Sequence, residues 1–290
     1  MSYQTAYGTE TVKQALLEDV RNGGDFFTKA LSYESVELDI TEQVQQQNLH
    51  PALVRLVSNL GQYGLEEDGR AFFVSALEEL KVGADQLDII RRWYLSIWSQ
   101  SEYALEATLE GTPLLQPATK IIDLVEASRA GPVDRMTWRK ARAALASEVG
   151  EEEEGKENPL SSLADPLLSM AWDLEQTPGS AADVANGIGG RIFWSAHKDD
   201  ADQFTPEENQ TLSAAYQSFH QQAIDRIGEI TPGNAEQYET YQAIVAELWE
   251  TSAELKALKM RSNERQERVK AVSKAWRDSA RGALLDCIKA

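Results

Sequence analysis

No stretch of this chain approaches the run of about 18 apolar residues that a membrane-spanning helix needs, so none is expected. Cysteine is nearly absent. The single Cys287 excludes an intramolecular disulfide and fits a reducing compartment, with the cytoplasm as the expected location. The opening residues Met1-Ser2-Tyr3-Gln4-Thr5 lack the basic region and apolar core of a signal peptide, so none is expected. Histidine is limited to His50, His197 and His220, and none stands in a recognised metal or nucleophile spacing. The chain has no phosphate loop ending in Gly-Lys-Ser/Thr, no EF-hand and no HExxH helix. From sequence, no catalytic residue, metal site or cofactor is assigned.

Positive charge is also short. There are 28 Lys and Arg against 47 Asp and Glu, a net charge of −19. The imbalance is uneven. Residues 254–290 carry ten basic and five acidic side chains, which leaves the other 253 residues with a net charge of −24. Such a field repels nucleic acid and anionic membrane and attracts cationic partners. The basic C-terminal stretch has one aromatic, Trp276, on its apolar side, so it is expected against acidic protein surface rather than nucleic acid.

What the chain does have is helical periodicity, broken once by charge. Residues 148–159 hold six carboxylates, Gly150, Gly155 and Pro159, with Val149 as the only branched apolar side chain. A self-repelling run with little to bury reads as an exposed linker. It divides the sequence into an N-terminal helical subdomain (1–147), an acidic linker or loop (148–159) and a C-terminal helical bundle (160–290).

In the first half, residues 10–21 show helical spacing, and a short helix is expected over 25–33. Val36, Leu38 and Ile40 alternate as in an extended connection. Helices follow over 49–60, with Pro51 in the first turn, and over 67–81. The strongest amphipathic stripe runs through Leu87, Ile90, Tyr94, Ile97, Ser101 and Leu105, widened by Trp93 and Trp98, with Asp85 placed to cap it. Pro113 is expected to open the next helix, and Gly131-Pro132 to end it. Arg135, Arg139, Lys140 and Arg142 then read as a solvated face of the helix carrying Trp138 and Leu145.

In the second half, Leu163, Leu167, Met170 and Leu174 share a face. Ser180 can start a helix expected to be interrupted at Gly187, Gly189 and Gly190. Thr205-Pro206-Glu207-Glu208 is a capping box with proline at the first helical position. Two helices follow, turned by Thr231-Pro232-Gly233-Asn234, as a hairpin inside a bundle. The stretch 261–268 has no apolar residue and reads as an exposed piece of a long helix or as a break. Val269, Val272, Trp276, Ala280, Leu284 and Ile288 restore a helical face.

Candidate chemistry is thin. His197 with Asp199, Asp200 and Asp202 offers metal-ligand atoms without a metal-site spacing. Residues 186–191 (Asn-Gly-Ile-Gly-Gly-Arg) lack the strand and spacing of a phosphate cradle and read better as a close helix approach. Tyr216, Phe219, Tyr238, Tyr241 and Trp249 could line a pocket between helices, but fit plain packing.

The expectation is an all-α multi-helix bundle or irregular helical array of roughly ten helices. The expected function is a non-enzymatic protein whose acidic surface meets a cationic protein partner, as an immunity or inhibitor protein does. Glu151, Glu152, Glu153 and Glu154 are the candidate contacts. A helical enzyme or ligand-binding protein using the aromatic interior, and an acidic mimic of nucleic acid, are the alternatives.

Overall fold

The computed structural model describes residues 5–22, 47–62, 67–99, 103–150, 158–198 and 204–290. Among them are twelve helices and no strand, the all-α array expected from the periodicity. They are α1 (Glu10–Arg21), α2 (Pro51–Gln62), α3 (Glu67–Glu79), α4 (Gln86–Ser99), α5 (Leu105–Leu109) and α6 (Leu115–Ala130). Then come α7 (Arg135–Val149), α8 (Pro159–Met170), α9 (Ser180–His197), α10 (Pro206–Ile227), α11 (Ala235–Trp249) and α12 (Ala253–Lys289). No described helix is long and apolar enough to cross a membrane. The short helix over 25–33 and the extended connection over 36–40 lie outside the described residues.

The helices form two compact units, Met1–Ile192 with Lys274–Ala290, and Phe193–Ser273. The chain passes between them within α9 and within α12. This is not the division at 148–159. α7 and α8, which flank the acidic run, pack on one another. Ala141 and Leu145 of α7 share one core with Ala164 and Leu167 of α8. Asn158 ties the described ends together: its Nδ2 donates to Val149 O (2.6 Å), and its Oδ1 accepts from Leu160 N (3.0 Å) and caps α8. The charged run interrupts the apolar pattern along the chain, but the helices on either side of it share one core.

In the first unit, α4 packs on α2, α5 and α6, and α3 carries α1 and α2. Asp85 starts α4 as expected, with its Oδ1 accepting from Leu87 N and Asp88 N (both 3.0 Å). Trp93 and Ile97 are fully buried on it. The expected stripe is shorter than the sequence pattern, since α4 ends at Ser99 and Leu105 begins α5. Pro113 lies in the turn before α6, which starts at Leu115, and α8 ends at Met170, before Leu174.

The glycines of α9 do not interrupt it. They let it come close to its neighbours. A Cβ on Gly187 would lie 3.3 Å from Pro166 of α8, and one on Gly189 only 3.0 Å from Trp276 Nε1 of α12. Helical glycine costs about 1 kcal/mol relative to alanine. Burial of Ala181, Val184, Ala185, Ile188 and Ile192 along the same helix offsets it.

In the second unit, α10 and α11 form the expected hairpin. The capping box is complete: Glu208 N donates to Thr205 Oγ1 (3.1 Å) and Thr205 N to Glu208 Oε2 (2.8 Å). Both Nη atoms of Arg261 then donate to the same carboxylate (2.9 and 2.8 Å). The core is Leu212, Ala215, Phe219, Leu248, Trp249 and Leu258. The polar stretch 261–268 stays helical within α12. Its cations are used locally, with Arg261 over the Phe204 ring (4.2 Å) and Arg265 donating to His197 O.

Two of the three glycines of α9, Gly189 and Gly190, should respond oppositely to alanine. Gly190→Ala meets nothing within 4 Å and should stabilise by about 0.5–1 kcal/mol through helix propensity. Gly189→Ala forces a methyl onto Trp276, which is 2% exposed and cannot yield, and should destabilise by about 1–3 kcal/mol. Urea unfolding of both variants measures the difference in sign.

Candidate functional site

The break at Gly131-Pro132 separates α6 from α7, and Asp134 restarts the helix by accepting from Thr137 N (3.1 Å). From that start, Arg135, Trp138 and Arg142 fall three and four residues apart, so they share one face of α7. They face the turn that follows α8. Asp173 builds that turn: its Oδ1 accepts from Glu175 N (3.0 Å), and its carbonyl accepts from Gln176 N and Thr177 N. Between these elements and α4 lies a cleft of about 370 Å³. Arg91, Arg135 and Arg142 line it with Trp138, Trp172 and Tyr94, and the turn contributes Asp173 and Glu175.

Arg142 is fixed rather than free. Its guanidinium lies over the Trp172 ring, 3.9 Å from the centroid, and its Nη1 donates to Ala171 O (2.6 Å). Burial lowers its pKa, and the neighbouring Arg139 and Arg135 lower it further. Arg135 and Arg139 are exposed, and neither makes an ion pair with any described residue. Trp172 remains 46% exposed although one face is covered. Tyr94 is buried, and burial pushes its phenol well above the ordinary range, so the hydroxyl keeps its proton.

Only part of this site was expected. The stretch 135–142 is more than a solvated face, because Arg135 and Arg142 turn into the cleft while Arg139 and Lys140 stay exposed. Arg91 and Trp172 were not anticipated. The signal that could have found α7 is a run of cations in its first half, where the helix dipole disfavours them.

The other candidates fall elsewhere. Glu151, Glu152, Glu153 and Glu154 lie outside the described residues, as do Asp199, Asp200 and Asp202. Among the described residues no three His, Cys, Asp or Glu side chains group as a metal site. His197 packs against Phe193 (4.6 Å between ring centroids) and Trp194 (6.0 Å). Residues 186–191 lie inside α9, so their backbone is helical and forms no loop around a phosphate. Phe219 and Trp249 meet edge to face in the core (4.9 Å, 87°), whereas Tyr216 and Tyr238 stand at the surface. His220 Nδ1 and Tyr241 OH are hydrogen-bonded at 2.9 Å. Cys287 is buried, and burial raises its thiol pKa, which makes it a poor nucleophile at neutral pH.

His50 is structural. It is 3% exposed, its backbone N–H donates to Gln86 Oε1 (2.7 Å), and its Nδ1 accepts from Ala52 N (3.1 Å) at the start of α2. Burial lowers its pKa to about 4; Arg91 lowers it too, while Asp85 and Asp173 oppose the shift. Arg91 and Asp173 also line the cleft, so His50 senses the charge there.

Comparison with protein-family models, with curated protein sequences and with solved structures gives no match.

The His50 shift has a sign. The unfolded chain takes up a proton near pH 6.5 and the folded chain only near pH 4. Stability from this group is therefore complete above about pH 6.5 and is lost as pH falls towards 4, by roughly 3 kcal/mol in all. His50→Asn keeps a capping acceptor but cannot titrate. Urea midpoints measured from pH 7 to pH 4 should fall more steeply for the natural chain than for His50→Asn.

Proposed function

We propose that this is a binding protein that recognises a cationic protein partner through carboxylate-rich helical surface. The observation that carries this reading is the α10–α11 hairpin. Between residues 206 and 250 there are eight Asp and Glu side chains and one basic residue, Arg226. Glu236 and Glu239 are exposed beside Tyr238, which is itself 52% exposed and stacks on Tyr241 (6.4 Å between centroids, 19°). Exposed tyrosines among carboxylates suit lysine and arginine side chains, which gain ion pairs and cation–π contacts together. Among the described residues, three ion pairs partly balance these acids: Arg226–Glu247, Lys256–Glu250 and Arg261–Glu208.

Glu151, Glu152, Glu153 and Glu154 carry charge of the same sign. A protein that neutralises a basic toxin or enzyme is the concrete form of this role. Opposite fields speed encounter more than they tighten the final complex.

The test starts from proteins retained by the immobilised natural chain at low salt, and measures their association rates. The Debye length falls from about 30 Å at 0.01 M to about 10 Å at 0.1 M, so association should slow clearly over that range while dissociation changes less. Glu229→Gln/Glu236→Gln/Glu239→Gln should slow association by about tenfold at low salt. Neutralising Glu151–Glu154 to Gln should give a further, smaller decrease. Rates untouched by salt and by both sets of substitutions would remove the electrostatic basis of this function.

A further inference from the structure

We propose that the cleft between α4, α7 and the 171–177 turn binds a small aromatic carboxylate. The site is separate from the acidic hairpin and does not depend on it.

The first argument is charge. In a chain of net −19, carboxylates are plentiful, yet Arg91, Arg135 and Arg139 form no ion pair with any described residue. Arg135 and Arg139 stand in the first half of α7, against its dipole. Arg142 is held among them, partly desolvated and repelled by both. Like charges grouped at the wrong end of a helix carry an electrostatic cost that a bound anion relieves. Asp173 and Glu175 line the opposite side. Three arginines against two carboxylates leave the cleft with one net positive charge, which suits a monoanion and disfavours a polyanion.

The second argument is shape. Arg142 is already positioned, by Ala171 O on one side and the Trp172 ring on the other, and it has spent one of its five N–H donors on Ala171. The remaining donors present a fork that matches a carboxylate. Trp172 offers a large open surface next to it, and the half-buried Trp138 stands on the same wall of α7. Stacking a planar ring on these indoles buries apolar area while the acid group meets the guanidinium.

The third argument is size. A cleft of about 370 Å³ is at the small end of ligand sites. One or two fused rings with an acid group fill it. A folded partner or a nucleic-acid strand does not enter.

The probes are 1-naphthoate, its neutral analogue 1-naphthylmethanol, the cation 1-naphthylmethylamine and inorganic phosphate, each titrated into the full chain by calorimetry. Naphthoate should bind one to one. The alcohol should bind at least about tenfold more weakly, the amine more weakly still, and phosphate alone more weakly than naphthoate. Arg135→Gln, at an exposed position, should weaken naphthoate about tenfold without lowering the melting temperature. Arg142→Gln should weaken it more. Trp172→Ala should weaken naphthoate and the alcohol alike, and Lys120→Gln, a cation outside the cleft, should change neither. If Arg142→Gln fails to fold, Arg135→Gln and Trp172→Ala decide the matter. Equal affinity for naphthoate and the alcohol, phosphate binding that matches naphthoate and ignores Trp172→Ala, or no saturable heat with naphthoate would each overturn the assignment.

Discussion

The first unit depends on the return of the last turns of α12 into a core that begins at Ala6 and Tyr7. Trp276, Ala280, Leu284 and Ile288 form one buried stripe of that helix. Trp276 fits because position 189 has no side chain to fill the space beside its indole. Polar groups then lock the same contact. Trp93 Nε1 donates to Ala280 O (3.1 Å), Arg281 Nε to Leu60 O (2.8 Å) and Lys81 Nζ to Lys289 O (2.7 Å). Each satisfies a helix carbonyl that the fold would otherwise leave with fewer partners. A helix far along the chain is thereby fixed to α2, α4 and α9 by apolar burial and by directional bonds at once.

That closure bears on function through placement. It completes the packing around α4, and α4 carries both Trp93 on its buried side and Arg91 in the cleft. α7 supplies the rest of the cationic wall from the other direction. The cleft is therefore built on helices that share one core rather than on loose loops. Its irregular parts are Pro132 and Val133 and the 171–177 turn, which Asp173 holds with three hydrogen bonds.

Charge is sorted in the same way. Acids dominate the α10–α11 hairpin, with its exposed tyrosines, while Arg91, Arg135 and Arg142 line one cleft of the first unit. An even mixture of signs would favour solubility alone. Both proposed ligands, the cationic protein and the small aromatic carboxylate, rest on this sorting of charge.

By itself the sequence determined most of the described helices and several of their starts. Residue periodicity and capping are local, so the hairpin at 206–249, the Thr205–Glu208 box and the Asp85 cap were legible from neighbouring residues alone. The buried stripe through Trp276 was legible for the same reason, except that Val272, expected on it, stands at the surface. Only the tertiary structure decided which segments share a core. The acidic run at 148–159 looked like a boundary because charge breaks a pattern along the chain, whereas units are defined by contacts across it. The glycines of α9 looked like breaks because their cost is local and the space they open for Trp276 is not. Arg142 looked like part of a solvated face because its partners, Trp172 and Ala171, lie some thirty residues away and reach it only when α8 folds back on α7.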